Sequence, residues 1–437
     1  MVTKLVPAGR EIWLDGLRGI AAVIVVWFHM TTGKLATPYR SFWDLPASDN
    51  RQLIQVLPFR IFFSGPGMVD IFFVVSGYSI SIGLIKFRHE GSMARFYQRL
   101  TSSVVRRMFR LCFPVAIMML GSHALYYTGL YTIPFKEGTG CAGAHPWESP
   151  IPHVQCLARS LVSIINVENI QNLTLNDHFW TIPVEIRGSM KVYLTLLGLS
   201  NVRKTARILI IGLLCVRSWW NGTPEFMAFF AGVLYAELSA SVSFGQHEIL
   251  PSKTVLNRLS SLSIYLAFLL GIYLLCLPIR IQSEGTIDAN FPPDWFFLEW
   301  CPPLLWWNTE TTMRTWHTFG AILVVGSMRV LPRLRAPFET RAARFLGHIS
   351  FSLYLCHQTV LRIMLHWSLH WTSLCITGVS YFEAHPQRKW GIVFVAWMLT
   401  TPLMTGVLLL ISVYMAELVD RKSISVGLYM ERLLCRL

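Results

Sequence analysis

Charge is what this chain has least of. Only 14% of its residues are Asp, Glu, Lys or Arg, against about 25% in an ordinary soluble protein. Mean hydropathy is +0.46, so the sequence leaves no room for a sizeable soluble domain. The cysteines form no pattern. None of the nine falls in a CxxC pair or at metal-ligand spacing, so a zinc ribbon or thioredoxin-type motif is excluded and no metal is expected. Cys112, Cys215, Cys276 and Cys356 lie in apolar runs, where inert packing is the expectation. Internal repeats, low-complexity tracts and long flexible linkers are missing too. A cleavable signal peptide is not expected, because the first apolar run carries Arg18 and His29 and has no small-residue cleavage site.

What the chain does have is apolar segments long enough to span a bilayer, recurring along its 437 residues. The expected fold class is all-α: a polytopic transmembrane helical bundle, one membrane-embedded domain over residues 1–437 with short cytosolic termini. Ten spans are expected at about 12–31, 66–85, 108–130, 180–199, 207–220, 224–240, 260–279, 315–331, 346–367 and 390–416. The fifth and sixth are short and separated only by Asn221-Gly222-Thr223-Pro224, so a single re-entrant hairpin is the alternative there.

The net charge of +14 does not point to nucleic acid. Lys and Arg concentrate in alternate loops, 22 on one side against 10 on the other, which places both termini in the cytosol. Membrane lipids are the expected surroundings. Two sequons, Asn172-Leu173-Thr174 and Asn221-Gly222-Thr223, fall on the opposite side, where glycosylation operates. Pro224 and the nearness of the membrane make the second a poor acceptor. Cys141 and Cys156 share one outer loop, where a disulfide is a candidate.

The first apolar segment carries a polar stripe. Arg18 and His29 are 11 residues apart, close to three helical turns, so they share a face at about 16 Å axial separation. Asp15 lies one turn below Arg18. Charged groups in mid-bilayer cost about 2.5–3.5 kcal/mol each on insertion scales and generally line a bundle interior or a water-filled path. Further polar residues interrupt other segments. Asp70 begins the second span, as a helix cap or as part of a site. Glu185 lies inside the fourth behind Trp180 and needs a cross-helix partner, with Arg18 or His29 the leading candidates. His178 precedes it at the outer mouth, as an acceptor contact or a plain interfacial residue. Ser350, Tyr354 and His357 recur on one face of the ninth, as a binding stripe or as interhelical hydrogen bonds. Ser76-Gly77 reads as close helix packing. Trp295, Phe296, Phe297, Trp300, Trp306 and Trp307 read as an interfacial aromatic belt, with a lid over a lipophilic acceptor as the alternative.

Four phrases carry a family resemblance: Leu14-Asp15-Gly16-Leu17-Arg18-Gly19 with Phe28-His29; Val69-Asp70-Ile71-Phe72-Phe73-Val74-Val75-Ser76-Gly77-Tyr78; His178-Phe179-Trp180-Thr181-Ile182-Pro183-Val184-Glu185; and Leu346-Gly347-His348-Ile349-Ser350-Phe351-Ser352-Leu353-Tyr354-Leu355-Cys356-His357. In this order they resemble the acyltransferase-3 family of membrane O-acyltransferases, over residues 14 to about 415. The family's Arg-x10-His pattern maps onto Arg18 and His29, and its Arg-x-x-Arg pattern onto Arg107 and Arg110. After Glu185 the chain reads Ile186-Arg187-Gly188-Ser189-Met190, which is similar to fungal members and implies a eukaryotic endomembrane enzyme, in the endoplasmic reticulum or a related membrane. No fused esterase-like domain is expected after the last span.

The resemblance implies transfer of an acyl group, most simply acetyl from acetyl-CoA, to the hydroxyl of a small molecule such as a fungal polyketide or terpenoid. His29 suits the base because the unperturbed imidazole titrates near working pH, with Glu185 as its orienter. Arg18 sits at the cytosolic end, either binding a donor phosphate or carbonyl in bidentate fashion or pairing with Asp15. Lys86, Arg88, Arg95, Arg99, Arg106, Arg107 and Arg110 form a basic rim for the phosphates of coenzyme A, or serve topology and lipid headgroups instead. Asp15, Asp70, His178, Trp180, Tyr354 and His357 are the candidate substrate contacts. No acyl-enzyme serine stands out, so direct transfer is preferred. Acetylation of a surface glycan or lipid and a secondary transporter are the alternatives, the latter disfavoured by the missing two-half symmetry.

Overall fold

The computed structural model describes residues 11–89, 92–131, 150–165, 175, 177–243, 254–278, 292–295, 298, 308–381 and 390–435. Among these the regular structure is helical. The main helices are α1 (Ile12–Thr31), α2 (Gly65–His89), α3 (Met93–Tyr127), α4 (Pro150–Ile165), α5 (Thr181–Gly198), α6 (Lys204–Trp220), α7 (Pro224–Ser243), α8 (Thr254–Leu275), α9 (Thr309–Val330), α10 (Arg341–Thr377), α11 (Trp390–Met415) and α12 (Arg421–Leu434). Short 3₁₀ turns follow α1, and a π-turn at Ala416–Asp420 joins α11 to α12.

Each of the ten expected spans coincides with a helix, but ten crossings are more than the helices themselves show. Among the described residues, four are long and apolar enough to cross a membrane: Ile12–Thr31, Gly65–Arg88, Met93–Tyr127 and Phe394–Leu434. Of the others, α6 has 17 residues, and α5 and α9 carry Glu185, Arg187, Arg314 and Arg329 within their length. Between the third and fourth expected spans lies α4, a helix that was not expected there. The signal was present as apolar residues at helical spacing, Val154, Leu157 and Leu161.

Two compact units divide the chain. The first takes residues Met1–Val104 and Arg187–His348, and the second Val105–Ile186 and Ile349–Arg436. In the first, α2 and α7 pack backbone against backbone. A Cβ on Gly77 would meet the Phe229 carbonyl oxygen at 2.1 Å, and one on Gly232 would meet that of Val74 at 2.3 Å. Small residues permit this approach, as expected for Ser76-Gly77, and Phe73 stacks on Phe229 beside it. The same unit holds a buried ion triad. Glu237 of α7 receives Arg88 of α2 at 2.5 Å and Arg207 of α6 at 3.3 Å.

The second unit is tied by hydroxyls and ion pairs. Ser122 and Thr359 share a hydrogen bond at 2.8 Å between α3 and α10, and Ser352 donates to Asp420 at 2.7 Å. Arg106 pairs with Glu431 of α12 at 3.3 Å. Cys156 of α4 is disulfide-bonded; Cys141 lies outside the described residues, as do the Asn172 sequon, Phe296, Phe297, Trp300, Trp306 and Trp307.

Candidate active site

In the first unit, α1 runs without a break from Ile12 to Thr31, so Asp15, Arg18 and His29 keep the spacing read from the sequence. Arg18 donates to Asp15 at 2.5 Å, which realises the i,i+3 pairing. The glycines beside them have a packing role. A Cβ on Gly19 would lie 2.4 Å from the Gly347 amide nitrogen, and one on Gly347 would lie 2.2 Å from the Asp15 carbonyl oxygen. The first and fourth phrases therefore touch through their glycines. His29, half-buried in the last turn of α1, sets its ring edge-on to Phe28 at 5.3 Å.

Asp70 is not a helix cap. It is the sixth residue of α2, buried, and accepts a hydrogen bond from the Thr318 hydroxyl at 3.0 Å. Nor is Trp295 part of an interfacial belt. It is fully buried and donates its indole N–H to the Pro278 carbonyl at 2.8 Å.

The second unit gathers the third phrase and most of the fourth. Glu185 of α5 forms an ion pair with Arg107 of α3, so the candidate orienter and a candidate donor-binding arginine are one interaction. Arg110, one turn on, is exposed. His178 is buried rather than interfacial. Its ring packs on His357 at 4.4 Å and on Tyr354 at 5.1 Å. The Tyr354 hydroxyl donates to the His178 carbonyl at 2.6 Å and shares a hydrogen bond with Thr181 at 2.6 Å. The Nδ1 of His357 lies 2.7 Å from the Tyr354 carbonyl. A carbonyl only accepts, so Nδ1 carries the proton. Ser350 is buried on the same helix, and Trp180 is half-buried next to the histidine. The stripe on the ninth span thus lies against the third phrase.

The basic rim is thinner than the sequence suggested. Arg88 is buried against Glu237, while Arg106 and Arg107 are paired with Glu431 and Glu185. Arg95, Arg99 and Arg110 are exposed. Sequence reasoning missed Glu237. Its signal was a lone carboxylate late in an apolar helix, which requires a cation. Among the described residues, no three His, Cys, Asp or Glu side chains cluster as a metal site.

The family described as an acyltransferase domain, acyltransferase-3, matches residues 11–417. The chain is 24% identical over 406 residues to acyltransferase clz18 of Cochliobolus lunatus, covering 82% of this chain and 84% of that protein. It is 24% identical over 398 residues to acyltransferase R4 of a Phoma species, with 80% and 82% covered. To O-acetyltransferase PaAT-1 of Phomopsis amygdali it is 26% identical over 384 residues, with 81% and 73% covered. No solved structure matches the chain. All four phrases lie within the matched stretch, on helices whose polar residues are held by the contacts above. The chain is an acyltransferase and belongs to the acyltransferase-3 family.

Proposed function

We propose that the protein is a multi-pass endomembrane O-acetyltransferase that moves acetyl from acetyl-CoA to a hydroxyl of a small molecule in fungal specialised metabolism. One observation carries the reading: Arg18 and His29 stand on one unbroken apolar helix, within a chain similar to a named O-acetyltransferase. The ten helical segments serve as crossings, with both termini cytosolic by the bias of Lys and Arg. The Cys156 disulfide supports an oxidising compartment on the other side. Asn221, exposed in the turn between α6 and α7, faces that side in this topology, as does Asn172, and both are candidate glycosylation sites.

In this reading the His29 imidazole accepts the proton of the acceptor hydroxyl. The oxygen forms a bond to the thioester carbonyl carbon, the carbon–sulfur bond breaks, and the departing thiolate takes the proton back from the imidazolium. Arg18, Arg107 and Arg110 bind the donor, Glu185 holds Arg107, and Asp15 holds Arg18. Asp70, His178, Trp180, Tyr354 and His357 shape the substrate region. Membrane lipids surround the protein.

The test is transfer of labelled acetyl from acetyl-CoA by purified protein to a panel of hydroxylated metabolites. Labelled ester is the expected product. Donor-independent movement of an acceptor into vesicles, without ester formation, would favour a transporter and sink the proposal. The arginine assignment has its own readout. Arg107→Ala and Arg110→Ala should each raise KM for acetyl-CoA and flatten its salt dependence, because a contact to phosphate is screened by salt. An unchanged KM returns those arginines to structure and topology.

A further inference from the structure

Acetyl transfer at His29 sets where the rest of the donor must lie. In coenzyme A the acetyl thioester is at one end and the phosphates at the other, joined by the long pantetheine arm. His29 is in the last turn of α1, and Arg18 lies about 16 Å nearer its start. An arm laid along α1 with its thioester at His29 brings the phosphates out at the start of that helix, the cytosolic end in the topology above. Arg18 stands there already bound to Asp15, while the phosphates carry several negative charges. More cations are needed, and the connection before α10 holds them.

Residues 332–348 carry Arg333, Arg335, Arg341 and Arg344 against a single carboxylate, Glu339. The segment belongs to the first unit, as α1 does, and it is seated on the start of α1. A Cβ on Gly16 would collide with the Phe338 carbonyl oxygen and lie 3.2 Å from the Ala343 Cβ, and Gly19 meets Gly347 one turn on. Arg335 staples the segment down. Its Nε donates to the Met328 carbonyl at 2.6 Å, and its guanidinium lies 5.2 Å over the ring of Trp13, which is buried in α1. The Ala343 amide donates to the Thr340 hydroxyl at 3.2 Å, which fixes where α10 begins. Arg341 and Arg344 stand three residues apart on the first turn of α10, so they share a face, and both are exposed. Arg333 is exposed in the turn before them. The positive-inside rule explains arginines in such a connection. It does not explain why they are pinned against the helix that carries Arg18.

We propose that Arg341 and Arg344 bind the 3′-phosphate of the coenzyme A donor, with Arg18 nearer the pantetheine arm. A guanidinium fits a phosphate in bidentate fashion, and two on one helical face match a phosphate monoester carrying about two negative charges. Arg333 adds to the field that draws the nucleotide end in. The seat on α1 holds these groups in place before the donor arrives, which lowers the ordering cost of binding. The inference rests on the acetyl-CoA reading above and adds to it the residues that recognise the far end of the donor.

Two probes that differ only in that phosphate test it: coenzyme A and 3′-dephospho-coenzyme A, titrated calorimetrically into the purified full-length protein in detergent. Wild type should bind coenzyme A about tenfold more tightly, the scale of one hydrogen bond to a charged group, and the gap should narrow as salt rises. Arg341→Ala and Arg344→Ala should each shrink the gap by weakening coenzyme A alone, leaving Kd for the dephospho probe unchanged. Arg344→Lys should keep part of the gap, and it carries the test if an alanine variant does not fold. Equal Kd values for the two probes in wild type overturn the assignment and leave the donor reading standing. So does a full gap in both alanine variants, which returns the two arginines to topology and lipid headgroups, or an equal weakening of both probes, which makes them a diffuse field rather than a phosphate contact. A wild-type protein that binds neither probe overturns the donor reading, and the phosphate assignment with it.

Discussion

A His29→Ala protein should melt at the wild-type temperature and transfer acetyl roughly 10²–10⁴-fold more slowly, the range assigned to a positioned general base. The fold should survive because His29 is half-buried at the last turn of α1 and the helix end is held by other groups. The Thr31 hydroxyl bonds to the Trp27 carbonyl at 2.7 Å and the Thr32 hydroxyl to that of Phe28 at 2.6 Å. KM for acetyl-CoA should change little, since the donor contacts are assigned to arginines. A fall in kcat with an unchanged donor KM marks an interaction made only in the transition state. Equal turnover by wild type and His29→Ala, at equal melting temperature, removes the imidazole from the chemistry.

Replacing Glu237 by alanine should be the most destabilising single change on the α2–α7 side of the first unit. The carboxylate is 1% exposed and receives both Arg88 and Arg207. Without it two guanidinium groups remain in an apolar interior with no counter-charge. Breaking a buried pair in this way costs about 3–5 kcal/mol. Thermal unfolding in detergent should show a clearly lower melting temperature than wild type. Glu237→Gln should lose less, because an amide oxygen still accepts from one arginine. Per folded molecule, acetyl transfer at low temperature should match wild type, since none of the three is placed at the chemistry. A melting temperature equal to wild type would mean the arginines are neutralised by water or lipid and the triad is not a structural clamp.

The first segment was the most legible part of the chain. An unbroken apolar run with Asp15, Arg18 and His29 at helical spacing can hardly be read otherwise, because helical periodicity is local. What pairs with what was not legible. The sequence offered Arg18 and His29 as partners for Glu185, and the structure pairs Glu185 with Arg107, 78 residues away along the chain. Such choices depend on helix order and rotation, which hydropathy does not encode. The basic rim was read too broadly for the same reason: a run of arginines reads as one surface, yet Arg88 ends α2 against Glu237 while Arg95 and Arg99 stand exposed on α3. The helical segments were legible, but which of them cross was not, because polar residues inside α5 and α9 lower the apolar content that defines a span, and those residues engage neighbours.

The glycines where α1 meets the start of α10 have a mechanical consequence. A Cβ at position 19 would lie 2.4 Å from the Gly347 amide nitrogen, and one at position 347 would lie 2.2 Å from the Asp15 carbonyl oxygen. The two backbones meet there with nothing but hydrogen between them, so any larger residue at either position must push the helix that carries Arg18 and His29 out of its seat.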